Sequence, residues 1–275
     1  MPPRLYTELA EWWPLFSPPG DDYAEEAAWV RRVLDERGGG RIRTLLELGS
    51  GGGNNASHLK AHYALTLVDL SPDMLRVSRQ LNPECEHALG DMRSVRLGRL
   101  FDAVFVHDAV VYMTNETDLA AAIVTAAAHC RPGGTAIFAP DHVRESFVPG
   151  TETGGADGGG RALRYLAWVH DPDPGDCTYL VDYAILLRDE AGVARVVHDR
   201  HVEGLFPRAT WLRLLQEAGF EASVVTDPWR RDVFVCRLAA ARPPGGSVGP
   251  CSSPLGFASL RGTRPGGSLG RRGPC

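Results

Sequence analysis

Four short apolar runs alternate with amphipathic segments through the first half of the chain, and that alternation restricts the fold more than any other feature. TLLELG (44–49), LTLVDL (65–70), FDAVFVHD (101–108) and TAIFAPD (135–141) read as strands. NNASHLKAHY (54–63), SPDMLRVSRQL (71–81) and ETDLAAAIVTAAAHC (116–130) read as helices between them, and a short strand surrounds 86–89. Nearly continuous apolar strands joined through helices mean a parallel sheet covered on both faces. Residues 5–17 and 22–37 read as two helices ahead of it, the first interrupted at Pro14.

After the fifth strand the pattern changes. Residues 161–171, 177–189 and 194–206 read as consecutive strands joined by turns at DPDPGD and DEAG, an antiparallel insertion. A helix at 207–220 and strands at 221–227 and 232–239 then restore the first pattern. The expectation is an α/β protein with a doubly wound, Rossmann-like sheet of seven strands. Its parts would be an N-terminal helical lid at 1–40, a main domain at 41–239 with the antiparallel insertion at about 155–206, and a disordered tail at 240–275. The tail reading rests on nine glycines, six prolines and no periodicity in 36 residues.

Charge narrows the partners. The chain carries a formal net charge of −5, yet five of its 29 basic residues lie in the tail and all 34 acidic residues precede it. A body this acidic is a poor match for nucleic acid, whose affinity comes mainly from lysine and arginine neutralising phosphates. No apolar run approaches the ~20 residues of a membrane span, and MPPRLYTELAEWW lacks the basic-then-apolar order of a secretory leader. A cytoplasmic protein is expected, with neither membrane nor nucleic acid as partner. The six cysteines form no CxxC pair and no zinc spacing.

At the exit of the first strand stands Glu47-Leu48-Gly49-Ser50-Gly51-Gly52-Gly53-Asn54. Glycines there let the backbone turn tightly and approach a ligand while the next helix presents its N-terminus. A dinucleotide GxGxxG fingerprint would need glycine at position 54, which is Asn54. The acidic-x-Gly-x-Gly-x-Gly spacing fits fully, with Glu47, Gly49, Gly51 and Gly53. That loop, VDLSPDML with Asp69 at the second strand end, GDM with Asp91 and Met92 after the third, and RPGGT before the fifth follow one another in order. From about Thr44 to Asp141 the chain resembles class I S-adenosylmethionine methyltransferases. The resemblance implies S-adenosyl-L-methionine as cofactor, held by Glu47, Gly49, Ser50, Gly51, Gly53 and Asn54. It adds Asp69 and Leu70 at the ribose, Asp91 and Met92 at the adenine, and His107 and Asp108 near the methionine part.

The first helix of form Tyr-x-x-Leu-Ala and the antiparallel layer resemble the sugar-amine and glycine N-methyltransferase group. A small-molecule acceptor methylated on nitrogen or oxygen is therefore expected, bound beyond the strand ends. His107 and His142 are candidate bases, and Tyr6 is placed to close over the sulfonium methyl. Trp12, Trp13 and Phe16 are expected to pack rather than bind. Arg144, Arg161 and Arg164 are possible contacts to an anionic acceptor, with solvated surface the stronger expectation. Alternation places Asp199, His201 and Glu203 on one face, which reads as exposed strand polarity rather than a metal site. The competing functions are an NAD(P)-dependent oxidoreductase and a non-catalytic cofactor-binding protein. No signal for an oligomeric state is present.

Overall fold

The computed structural model describes residues 3–240. The region predicted to be a disordered tail falls outside them from residue 241 onward. In chain order the elements are α1 (Trp13–Phe16), α2 (Asp21–Gly38), β1 (Thr44–Leu48), α3 (Asn54–Leu59), β2 (Ala64–Asp69), α4 (Pro72–Leu81), β3 (Glu86–Leu89) and β4 (Phe101–Val106). There follow α5 (Glu116–His129), β5 (Cys130–Phe138), β6 (Gly150–Gly154), β7 (Asp157–Gly158), β8 (Arg161–His170), β9 (Thr178–Arg188) and β10 (Ala194–Gly204). The order ends with α6 (Arg208–Glu217), β11 (Phe220–Thr226) and β12 (Asp232–Leu238).

A seven-stranded sheet runs β11-β12-β5-β4-β1-β2-β3. The five strands from β5 to β3 are parallel, and β12 is antiparallel to both β5 and β11. Strand order reverses between β1 and β4, so a crevice opens beyond their carboxyl ends. Apolar side chains cover both faces. Leu46, Val104, Phe138 and Trp211 belong to the cluster on the α5 and α6 side, and Leu45, Phe105, Val30 and Leu34 to the one on the α2 and α3 side. This is the Rossmann-like α/β fold that the alternation predicts.

The insertion forms a second sheet, β10-β9-β8-β6, with β7 paired to β8. All its pairings are antiparallel, with Glu203 opposite Tyr179 and His201 opposite Val181. It begins at Gly150 rather than near 155.

The N-terminal segment corrects the sequence reading. Residues 5–17 are not one interrupted helix but two 3-10 turns, Arg4–Tyr6 and Ala10–Trp12, and the single α-turn α1. Pro14, with no N–H to donate, is tolerated only in a first helical turn, and Pro18 and Pro19 prevent continuation. The segment folds against the second sheet through Leu5, Leu9, Trp12 and Leu15, packed with Leu163, Ile185 and Val197.

Candidate functional site

One cavity of about 590 Å³ lies at the carboxyl ends of β1, β2 and β4, within the range of small-molecule sites. Its floor is the glycine loop. Gly49 has φ +76°, and a Cβ there would collide with Met92 and Ala109. The backbone can therefore take this turn only without a side chain. At Gly52 a Cβ would collide with the Trp13 indole, so the N-terminal segment rests directly on the loop.

Asp69 sets the loop's shape. Gly51 and Ser71 donate their backbone N–H groups to its two carboxylate oxygens, each at 2.8 Å. Remaining lone pairs can accept a pair of ligand hydroxyls. Burial raises its carboxyl while these two backbone donors oppose the rise.

Glu47 is more unusual. It is 3% exposed and its Oε2 has no hydrogen-bond partner. Burial, followed by the charges of Asp108, Glu26 and Asp69 against that of His107, pushes its carboxyl up to about 8. An unpartnered buried carboxyl facing a cavity is complementary to a ligand ammonium group. Asp91 sits at another edge, held below the usual carboxylate range by the Arg93 guanidinium, which bonds it at 2.6 Å.

Of the residues expected at the cofactor, Glu47, Gly49, Ser50, Gly51, Asn54, Asp69, Leu70, Asp91, Met92, His107 and Asp108 line this one cavity, and so does Tyr6. Gly53 does not. It sits behind the loop at φ +78°, against Ser78 and Asn82. Trp13, expected only to pack, lines the cavity, as do Tyr23 and Tyr112, which the sequence reading did not single out.

His107, at the end of β4, is tied on both ring nitrogens. Nε2 lies 2.8 Å from Glu26 Oε1 and Nδ1 lies 3.1 Å from Asp108 Oδ1. Burial alone would lower its pKa, but the two carboxylates raise it well above the ordinary histidine value. Glu26 also takes the Arg231 guanidinium, which bonds Asp227 at 2.7 Å, and the Asn55 amide at 3.1 Å. Burial opposes the ionised form of Glu26, yet His107 and Arg231 hold its carboxyl far below the usual range.

His142 lies elsewhere, edge-on to Phe147 and Tyr179 at 5.3 and 5.4 Å between ring centres. Burial lowers its pKa, which keeps the ring neutral. Beside it, Asp141 is pushed up to about 7 by burial and by the charges of Asp108 and Glu203.

The face expected to be exposed strand polarity is covered. Asp199, His201 and Glu203 are 8%, 1% and 6% exposed, because the N-terminal segment and the strand ends lie over them. Asp199 accepts the Leu5 N–H at 2.8 Å and faces His201 Nε2 at 3.2 Å. His201 Nδ1 lies 2.8 Å from the Tyr112 hydroxyl, which donates to that of Tyr6 at 2.9 Å. A polar chain thus runs from the cavity mouth into the second sheet. Arg144, Arg161 and Arg164 are occupied by protein groups. Arg144 donates to the carbonyls of Pro174, Asp176 and Leu205, Arg161 lies over Trp12, and Arg164 pairs with Asp157.

Comparison with known proteins agrees with this geometry. A methyltransferase domain family matches residues 45–134. The dTDP-3-amino-3,4,6-trideoxy-alpha-D-glucopyranose N,N-dimethyltransferase of Streptomyces venezuelae is 31% identical over 220 residues, covering 78% of this chain and 91% of that one. The dTDP-3-amino-3,6-dideoxy-alpha-D-glucopyranose N,N-dimethyltransferase of Streptomyces fradiae is 29% identical over 203 residues, 73% of this chain and 78% of that one. A sugar N-methyltransferase of Streptoalloteichus superposes with a TM-score of 0.73 at 30% identity, covering 80% and 89% of the two chains. The oxidoreductase and non-catalytic alternatives give way to these matches. The chain belongs to the class I S-adenosylmethionine-dependent methyltransferases and is an enzyme that takes S-adenosylmethionine as its methyl donor.

Proposed function

We propose that the enzyme methylates the amino nitrogen of a sugar, twice in succession, as the names of its relatives describe for their own substrates. The observation that carries this reading is the position of the cavity mouth. Tyr6, Asp108 and Tyr112 stand where the cofactor cavity opens toward the second sheet, whose covered face is polar and aromatic.

When bound, the sulfonium cofactor supplies an electrophilic methyl, to which the amine lone pair bonds as the carbon–sulfur bond breaks. The chain's own residues bind, orient and exclude water. The vicinal ribose hydroxyls are assigned to Asp69, the methionine ammonium to Glu47, and the adenine to Met92 and Asp91. Gly49, Ser50, Gly51 and Asn54 shape the loop beneath, and Gly53 supports it. Leu70 and Asp108 complete the walls. Tyr6 closes over the methyl centre, and Trp13 on Gly52 makes the N-terminal segment the lid. Alignment and water exclusion of this kind are worth about 7–11 kcal/mol in favourable cases.

An amine must be neutral to attack and must lose a proton before the second transfer. His107 is poorly suited to take it, because two carboxylates already hold it as the cation. We assign it to positioning: it ties Glu26 on α2 to the end of β4. Asp141 and the neutral His142 are the available acceptors, and an acceptor titrating near the working pH is the effective kind. The test is S-adenosylhomocysteine release over a panel of amino sugars and their hydroxyl counterparts. Release with the amines alone supports the reading, and release with the hydroxyl sugars alone overturns it.

A further inference from the structure

Tyr6 and Tyr112 both line the cofactor cavity, and their hydroxyls connect it to a buried dyad of the second sheet. His201 is 1% exposed, and Asp199, two positions earlier on β10 and so on the same face, lies 3.2 Å from its Nε2. The same Asp199 oxygen accepts the Leu5 N–H at 2.8 Å. Leu5 adjoins Tyr6 in the chain, so these contacts close a circuit from Leu5 through Asp199, His201 and Tyr112 back to the Tyr6 hydroxyl. One dyad thus fixes Tyr6 from two sides, through the backbone next to it and through its hydroxyl.

The protons give the circuit a direction. Tyr112 donates its single hydroxyl proton to Tyr6 at 2.9 Å, so it has none for His201. Nδ1, 2.8 Å from that hydroxyl, is therefore the donor. Nε2 faces a carboxylate oxygen, which only accepts, and carries a proton as well. His201 is an imidazolium. Its surroundings suit the charge. Asp199 and Glu203 flank it on β10, the latter 3.8 Å from Nδ1 and also taking the Tyr179 hydroxyl. Neutral phenols face it from the other elements, Tyr183 on β9, Tyr112 after β4 and Tyr6 in the N-terminal segment, whose Arg4 acts on Asp199. Burial disfavours the cation, yet the two carboxylates raise its pKa above the ordinary histidine value.

The direction decides what a ligand meets. With its oxygen accepting from Tyr112, Tyr6 keeps its own proton, which has no acceptor among the described residues. A neutral His201 would reverse the order. Nδ1 would accept from Tyr112, Tyr112 would accept from Tyr6, and the cavity would face lone pairs in place of a proton. A donor fixed before the substrate arrives needs no reorganisation during the reaction.

We infer that His201, held as the cation by Asp199, is a positioning residue for methyl transfer: through Tyr112 it turns the Tyr6 hydroxyl so that its proton points at an oxygen of the acceptor. The inference rests on the sugar-amine reading, which puts Tyr6 at the methyl centre.

The first measurement needs no acceptor. In protein carrying isotope-labelled histidine, the ring signal that His201→Asn removes should show protons on both nitrogens at pH 7. A singly protonated ring overturns the inference. On the amino sugar turned over fastest, Tyr112→Phe and His201→Leu should each lower kcat roughly tenfold to a hundredfold, with S-adenosylhomocysteine affinity changed less than about threefold. The double variant should be no slower than the slower single one, because both cut the same connection. Losses that multiply overturn the inference. His201→Asn keeps an N–H for Tyr112 and should recover part of kcat. The wild-type kcat should fall as pH rises through the raised His201 value, since the donor exists only below it, and that limb should vanish in His201→Asn. Its persistence gives the limb to another group and overturns the inference. If His201→Leu does not fold, Tyr112→Phe, His201→Asn and the ring signal decide. Turnover of no amino sugar overturns the sugar-amine reading, and the ring signal alone then decides the protonation of His201.

Discussion

Glu47→Gln isolates the buried carboxyl that the cavity leaves without a partner. In the protein without cofactor, Glu47 titrates at about 8 instead of 4.5, chiefly because burial penalises the anion. The folded state therefore holds a proton that the unfolded chain has released, and stability must fall as pH rises from about 4.5 through about 8. The cost reaches about 3 kcal/mol at pH 7 and about 5 kcal/mol above pH 9. In a domain of this size, 1 kcal/mol moves Tm by about 2–4 °C. Between pH 5 and 9 the wild type should thus lose roughly 10 °C more than Glu47→Gln, whose amide does not titrate. Cofactor binding should reverse the penalty, since an ammonium beside Glu47 favours the anion. Calorimetric titration of S-adenosylhomocysteine in phosphate and in Tris at pH 7 should show release of about 0.9 proton in the wild type and far less in the variant. Parallel Tm profiles, or equal proton release, would refute the assignment of Glu47.

Asp69→Asn removes one charge and one acceptor from the loop and should weaken cofactor binding roughly thirtyfold by calorimetry; a change under about threefold contradicts its ribose role. Glu26→Ala leaves the buried His107 and Arg231 cations without their shared carboxylate and should cost about 3–5 kcal/mol in urea unfolding, whereas a loss under about 1 kcal/mol would show the network to be dispensable. The pH profile of kcat/KM should rise through about 7 as Asp141 ionises beside Asp108, Glu203, His107 and Arg231. In Asp141→Asn that limb should disappear, and its persistence would give the proton to another group. Trp211→Ala, which removes a fully buried ring stacked on Phe234 at 4.8 Å, should cost about 3–5 kcal/mol without altering cofactor affinity per folded molecule.

The fold was legible because its strands are short, apolar and separated by helices, and a parallel sheet is what that pattern can bury. The cofactor loop was legible because acidic-x-Gly-x-Gly-x-Gly prescribes both a backbone path and a carboxylate. Contacts remote in sequence carried no such signal. Glu26 and Arg231 lie 205 positions apart, although Glu26 shares a helical stripe with Val30 and Leu34 and could have been marked as a buried acid. Alternation along β10 put Asp199, His201 and Glu203 on one face, but could not show that Leu5, Leu9 and Trp12 would cover the sheet beside them. The N-terminal segment was misread for a local reason: apolar spacing suggested a helix, and three prolines within six residues, Pro14 to Pro19, permitted only turns.

Cofactor and acceptor meet in one experiment. The enzyme is incubated with S-adenosylmethionine and each of a panel of amino sugars, nucleotide-linked and free of nucleotide, and the product is resolved by two-dimensional NMR. Two methyl groups on the amino nitrogen, with two equivalents of S-adenosylhomocysteine released, are the expected result. Methyl groups on a ring oxygen, or cofactor bound without turnover on any amino sugar, would contradict an N-methyltransferase of sugar amines.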